Sequence, residues 1–364
     1  MVIQQLHYAT TSRYNFPQTL QELQLPKRLI ELSLSSMRNT QGRHFQPCQT
    51  DFPETLVERP HPNEPITLNS KTISTLLTPL KPIKDGTPIV AIDVSSIRIG
   101  ETDTGIIYAI RGAIVWNEKR RYRYLRIGPF PFHITEESRR DLPNLFSQQP
   151  SVTLSMTPWM TYDAQSWLCS LAERWLQMAV AYSANDSIIL WDGSLTAGTP
   201  GNPTSVLSQI VKAAGRNSNL VLAFSKATSI RFLGWKITDL ILRQEPPCLL
   251  EVEDLPLSIS KNVHLLGRMF VAKLAPNGCS FRLDIDRALT REQSIVAVER
   301  LLGNELVFQG YPETLRLAHI YSTFTANDVI GLQSFITREY GLRVVACTNM
   351  RRRLFGPFGT GFED

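Results

Sequence analysis

Ile89–Ser95 reads IVAIDVS, a run of apolar residues interrupted only by Asp93 and closed by a serine. Apolar side chains at both odd and even positions describe a strand covered on both faces, the kind found inside an α/β sheet. Ser187–Trp191 (SIILW) repeats the pattern and is followed at once by Asp192, Gly193 and Ser194. Between the two, Gly105–Trp116 and Tyr122–Ile127 read as hairpin partners of the first strand, with a turn near Asn117–Lys119. A long helix is expected over Asp163–Tyr182. Beyond Asp192 the loop Gly193–Pro203 leads to a helix over Thr204–Ala214, with Thr204 or Ser205 as its N-cap. Leu220–Phe224 is a further strand, and His264–Lys273 and Ser280–Ile285 read as a strand pair. Helices over Arg291–Leu302 and Asn327–Tyr340 and a last strand over Leu342–Cys347 complete the pattern. Strands first, then alternating helices and strands, predict an α/β or α+β domain around a mixed sheet.

Residues 1–85 differ from the rest. Pro17, Pro26, Pro47, Pro53, Pro60, Pro62, Pro65, Pro79 and Pro82 cut this segment into short pieces. Helical patches are expected near Gln18–Leu32, broken or kinked at Pro26, and near Leu68–Leu77. The segment reads as a Pro-rich arm or cap on a main domain, joined by the linker Pro79–Pro88 (PLKPIKDGTP). The main domain is placed at residues 86–353 and a Gly- and Phe-rich tail at 354–364. Of the 364 residues 43% are hydrophobic and 20% charged, which is globular composition and excludes wholesale disorder. The net charge of +5 permits a polyanionic partner without demanding one. The 5 cysteines are scattered and form no CxxC, against a zinc site or a disulfide framework and for a reducing compartment. No secretory start is seen, and no run approaches the ~18 apolar residues of a spanning helix. A soluble, cytoplasmic protein without a membrane partner is expected.

The residues that could carry chemistry are acidic. The chain has no GxxxxGK[ST], no helix-opening GxGxxG, no HExxH and no GxSxG. Asp93 and Asp192 instead each end or interrupt an apolar strand. Such a carboxylate either caps a turn, as Asp93 would with Ser95 and Ser96, or belongs to a site built at strand ends. Glu173 is the third acid. On its helix it lies beside the polar strip of Ser166, Ser170, Arg174 and Gln177, flanked by Cys169, Leu176 and Val180, and it either pairs with an arginine or faces the site. Three converging carboxylates make an oxygen-rich site for Mg²⁺ or Mn²⁺, the ions that drive phosphodiester hydrolysis. His319 (in LAHIYS) could bind the metal or orient the attacked phosphate, and Tyr311 (in GYP) could donate to a phosphate oxygen; otherwise His319 is a core histidine beneath a turn made by Tyr-Pro.

AIDVSS, LAERW, IILWDGSL, LAFSKATS and GYPETLRLAHIYS, in this order and spacing over Pro88–Arg353, resemble the NurA nuclease family. The resemblance implies an RNase H-like (Argonaute/PIWI-like) mixed sheet flanked by helices. It also implies a manganese-dependent deoxyribonuclease of 5′–3′ exonuclease and single-strand endonuclease type, with Mg²⁺ as a possible substitute. A homodimer is implied, working with a HerA-like hexameric ATPase in DNA end resection and double-strand-break repair. Matched position by position, Asp93, Glu173, Asp192 and His319 would be metal ligands and catalytic residues, with Tyr311 beside them. Lys226, in FSKATS, would contact the scissile phosphate. The chain departs from the family where Val94 replaces the common Gly after the first Asp, which leaves a non-catalytic scaffold binding DNA or a ring ATPase as the alternative. An RNase H-like enzyme acting on RNA or hybrids is a third reading. The stretch KRRYRYLR supplies candidate DNA contacts, Arg121 and Arg123 on one strand face and Tyr122 and Tyr124, with Arg126, on the other. A charged edge strand that resists aggregation fits the same residues.

Overall fold

The computed structural model describes residues 27–48, 77–141, 164–198 and 202–345, apart from residues 229, 233, 254 and 256–263. The expected helix Leu68–Leu77 and the tail at 354–364 lie outside them, except that Leu77 opens a strand. Eleven strands form one sheet: β1 (His44–Pro47), β2 (Leu77–Pro79), β3 (Ile89–Thr102), β4 (Gly105–Glu118), β5 (Arg121–Thr135), β6 (Ile188–Asp192), β7 (Leu220–Ser225), β8 (Cys248–Glu251), β9 (Gly267–Lys273), β10 (Ser280–Asp286) and β11 (Arg343–Val344). Their order is β11-β1-β3-β6-β7-β10-β9-β8-β2, with β4 on the other edge of β3 and β5 beyond it. β3, β6 and β7 run parallel, β3-β4-β5 is an antiparallel meander, and β7-β10-β9-β8-β2 continues antiparallel.

β3 is the hinge of this arrangement, and it is longer than its apolar start suggests. The strand does not stop near Asp93 but runs 14 residues, because β4 pairs with it along almost its whole length. On its other edge β6 pairs only as far as Ile92↔Trp191, and β1 takes over at Gly100. Asp93 therefore stands at the end of the parallel pairing while lying inside a continuous strand. The β4–β5 turn falls at Lys119 and Arg120, both at positive φ (53° and 63°), rather than at Asn117–Lys119. Two successive residues of that hand form the mirror-image turn that matches strand twist.

The helices cover both faces. α1 (Lys27–Arg38) packs on β5, while α2 (Ala164–Ser183) and α3 (Thr204–Arg216) cover Val90, Ile92, Ile114, Trp191 and Val221. On the opposite face α4 (Arg291–Asn304) and α5 (Glu313–Ser322) cover Ile89, Ala91, Val115, Leu190 and Leu222. α6 (Ala326–Glu339) packs on the far half of β3 with Phe45, Ile99 and Ile107. Each fully buried Ile or Leu in these layers contributes about 1.5–3 kcal/mol. α4 and α6 begin with capping boxes, Thr290 with Gln293 and Thr325 with Asp328. α3 has Pro203 at its N-cap and no side-chain cap, so neither Thr204 nor Ser205 plays that part. Gly112 lets α2 lie close to the sheet, since a Cβ there would stand 2.4 Å from Leu176.

The N-terminal segment is woven into this sheet. β1 and β2 sit far apart in the strand order, β1 beside β3 and β2 on β8. The linker lies against α4, where Ile83 donates to the Glu299 carbonyl and Gly86 to the Asn304 side chain. No helix among the described residues is long and apolar enough to cross a membrane.

Candidate metal centre

Strand alternation aims the two aspartates the same way. Ile89 and Ala91 of β3 and Ile188 and Leu190 of β6 face α4 and α5, so Asp93 and Asp192 share that face. Asp192 is the last residue of β6, opposite Phe224 of β7. The chain then turns through Gly193 at φ +130°, whose N–H bonds the Phe224 carbonyl. Asp284, buried on β10 and ion-paired to Arg282, accepts the Leu195 N–H and holds the loop that follows.

α5 supplies the other side of the site. His319 and Ser322 are three residues apart and share one helix face. His319 Nδ1 lies 3.2 Å from Asp93 Oδ2, and the Ser322 hydroxyl donates to the same oxygen. Ser95 donates in turn to the Ser322 carbonyl. Between Ile92 and Gly100 no strand among the described residues pairs with one edge of β3, and side chains approach it instead. The Cys169 thiol donates to the Val94 carbonyl at 3.3 Å, and Gln165 reaches Ser96 at 3.0 Å. The strand thus passes through Val94 without turning Asp93 away from the site.

Asp93, Asp192 and His319 each bring a ligand atom within 4.8 Å of one another, the one such group among the described residues. Two carboxylates and an imidazole, with no thiolate, suit a hard divalent cation. The donor set fits such an ion. Lys226 Nζ lies 2.6 Å from Asp192 Oδ2 and 5.5 Å from the centre of the Tyr311 ring. Tyr311 packs on Phe224 and Phe281, and its buried hydroxyl sits beside Asp192 without a well-formed hydrogen bond. Burial first, then the two aspartates, raises its pKa, so the phenol keeps its proton.

Glu173 stands apart from the cluster. It rides on α2, across the sheet, where it accepts from the Gln177 amide at 2.8 Å and lies 3.7 Å from Arg174. Its pKa is raised by burial and, to a lesser degree, by Asp93 and Asp192, against the pull of Arg174. It is thus within electrostatic reach of the aspartates.

Arg121 and Arg123 do not share the cluster's face. Arg121 and Arg123 share a strand face with Leu125, which packs with α2 and α3 on the side away from the cluster. Tyr122 donates to Glu305 at 2.6 Å, and the Tyr124 ring stacks on Tyr321 at 4.0 Å, so both rings are engaged inside the protein. Ser322 was missed by sequence reading, and the signal was available. Once Glu313–Ser322 is read as a helix, spacing puts Ser322 beside His319.

The NurA domain family model matches residues 87–322. The NurA nuclease from Sulfolobus solfataricus is similar at 18% identity, covering 74% of this chain and 90% of that one, with a TM-score of 0.49. A structure of NurA with manganese is similar at 11% identity over 86% of this chain and 97% of that one, TM-score 0.42. Endonuclease V from Bacillus subtilis is similar at 9% identity over 74% and 91%, TM-score 0.35. No curated protein matches the chain.

Proposed function

The chain belongs to the NurA domain family, and from that premise we propose that it is a metal-dependent nuclease hydrolysing phosphodiester bonds in DNA. The observation that carries this reading is the convergence of Asp93, Asp192 and His319 within 4.8 Å at the end of the parallel pairing. When bound there, Mn²⁺ or Mg²⁺ supplies positive charge that activates water and neutralises the departing oxygen. Asp93, Asp192 and His319 would hold the ion, with Glu173 adding negative charge from α2. Ser322 fixes the orientation of Asp93 through its hydrogen bond. Lys226, already at the cluster, offers its ammonium to a phosphate oxygen, and Tyr311 donates its retained proton to the same group.

An RNase H-like core agrees with a three-strand meander extended by two parallel strands through helical crossovers, with the acids at the junction. The finer assignments belong to the same proposal: manganese as the working ion, 5′–3′ exonuclease and single-strand endonuclease action, a cytoplasmic homodimer, and end resection with a HerA-like ATPase ring. The test is incubation of the full chain with labelled single-stranded DNA, duplex DNA, RNA and hybrid, each with Mn²⁺, Mg²⁺ or EDTA. Metal-dependent DNA cleavage is expected. Cleavage of RNA or hybrid alone would make it a ribonuclease, and DNA binding without cleavage of any substrate would favour the scaffold.

A further inference from the structure

Arg126 is the member of the basic stretch that the register places on the cluster's face. It opposes Ala113 of β4, and Ala113 opposes Asp93 of β3. Opposed residues project to one face, and strands lie about 4.8 Å apart, so Arg126 stands about 10 Å from Asp93, two strands away. Here a cavity of about 370 Å³ opens between β5 and the start of α6, lined by Arg111, Arg126, Gly128, Pro129, Asn327 and Asp328 among others.

The charges lining this cavity are unbalanced. Asp328 is fully engaged: Arg111 grips both its oxygens at 3.0 and 3.1 Å, and it accepts from the Thr325 N–H and hydroxyl at 2.9 and 2.8 Å. Arg111 is 4% exposed, donates also to the Thr323 carbonyl, and lies over the Phe324 ring. Arg126 approaches Asp328 only to 4.0 Å and keeps 34% of its side chain exposed. Two guanidinium groups thus share one carboxylate that is already bound, leaving a net positive charge in the cavity beside the positive end of a helix. Burial and the neighbouring Arg111 weaken the hold of Arg126 on its proton, strain that an anion would relieve.

We propose that this cavity is a phosphate subsite, in which Arg126 binds a phosphate of the nucleic-acid strand being cut at Asp93 and Asp192. Guanidinium is the side chain suited to that ligand, since its planar fork meets phosphate oxygens two at a time. The proposal rests on the nuclease reading for the identity of the anion, which is either a phosphate within the strand or one at its 5′ end.

The test measures binding of the full chain in EDTA, so that nothing is cut, to a labelled single-stranded oligonucleotide with a 5′-phosphate or a 5′-hydroxyl. Fluorescence anisotropy is followed across salt for native protein, Arg126→Gln, Arg126→Lys and the Arg121→Ala/Arg123→Ala pair. Arg126→Gln is expected to bind roughly 3- to 10-fold more weakly and to flatten the log–log salt slope by about 0.7. Arg126→Lys is expected to keep the slope but lose part of the affinity, because a point charge replaces the fork. The double alanine pair, on the other face, is expected to lose less than Arg126→Gln. Loss with the 5′-phosphate alone assigns the strand end, and equal loss with both assigns an internal phosphate. Native affinity and slope in Arg126→Gln with both oligonucleotides would overturn the proposal; should that variant not fold, native affinity in Arg126→Lys would do so. Native protein that binds DNA in EDTA and cleaves it once Mn²⁺ is supplied, while the variants match its binding, sinks this inference alone. Native protein that neither binds nor cleaves sinks the nuclease reading with it.

Discussion

Asp328→Asn perturbs the ion pair that fixes the elbow between α5 and α6. Arg111 is 4% exposed and Asp328 26%, and their two hydrogen bonds are 3.0 and 3.1 Å long. Removing one partner of a fully buried pair costs about 3–5 kcal/mol, because the other charge is left without its counterpart. Here water reaches Asp328, and Arg111 keeps the Thr323 carbonyl and the Phe324 ring. The asparagine oxygen also still accepts from Thr325, so the cap, worth about 1 kcal/mol, survives. The expected loss is therefore about 2–3 kcal/mol at pH 7, read by urea unfolding followed by circular dichroism. The hydrogen bonds from Arg111 and Thr325 outweigh burial and hold the Asp328 carboxyl well below the usual carboxylate range. Stability from such a group is fully present above its unfolded pKa of about 3.9 and is lost as pH falls further. The gap between native protein and variant should accordingly narrow below about pH 4. A loss under about 0.5 kcal/mol at pH 7, or a gap that ignores pH from 7 down to 3, would refute the reasoning.

Ser322→Ala removes the hydroxyl bonded to Asp93, a proposed metal ligand, and Mn²⁺ affinity by titration calorimetry should fall about 10- to 100-fold; unchanged affinity would mean Ser322 does not orient Asp93. Tyr311→Phe should leave thermal stability nearly native, since the hydroxyl makes no well-formed hydrogen bond, while slowing cleavage at saturating DNA. A native rate there would remove the phenol from the reaction. For Glu173 burial raises the folded pKa, so its favourable contribution is present at low pH and is lost as pH rises through the folded value. Glu173→Gln should then melt higher than native protein at pH 7 without metal and match it near pH 4; a lower melting temperature at pH 7 would contradict this.

The core of the fold was readable because burial on both faces leaves a plain mark in sequence. Ile89–Ile92, Ile188–Trp191 and Leu220–Phe224 are unbroken apolar runs, and all three lie in neighbouring parallel strands. Asp93 and Asp192 were legible for the same reason, as charges where charge is expensive. What sequence did not reveal depends on pairing across distance. The far half of β3 carries Ser96, Arg98 and Glu101 and looks like a loop until β4 is laid beside it. The short strands β1 and β2 have no pattern of their own and exist because the sheet offers them edges. α5 was hidden by Tyr311-Pro312, which reads as a turn yet here leads straight into the helix. The faces of β5 were predicted correctly by alternation, but which face meets the cluster depends on the register Asp93↔Ala113↔Arg126.

In the proposed function Asp93 and Asp192 act together as ligands of one catalytic cation. The most direct test of that role is the Mn²⁺-dependent cleavage rate of labelled single-stranded DNA, at saturating DNA, for native protein, Asp93→Asn and Asp192→Asn, with each variant's Mn²⁺ affinity measured on the same preparation. Loss of cleavage in both variants, with weakened Mn²⁺ binding and a native circular dichroism spectrum, is the predicted result. Native cleavage rates in both variants would contradict the account.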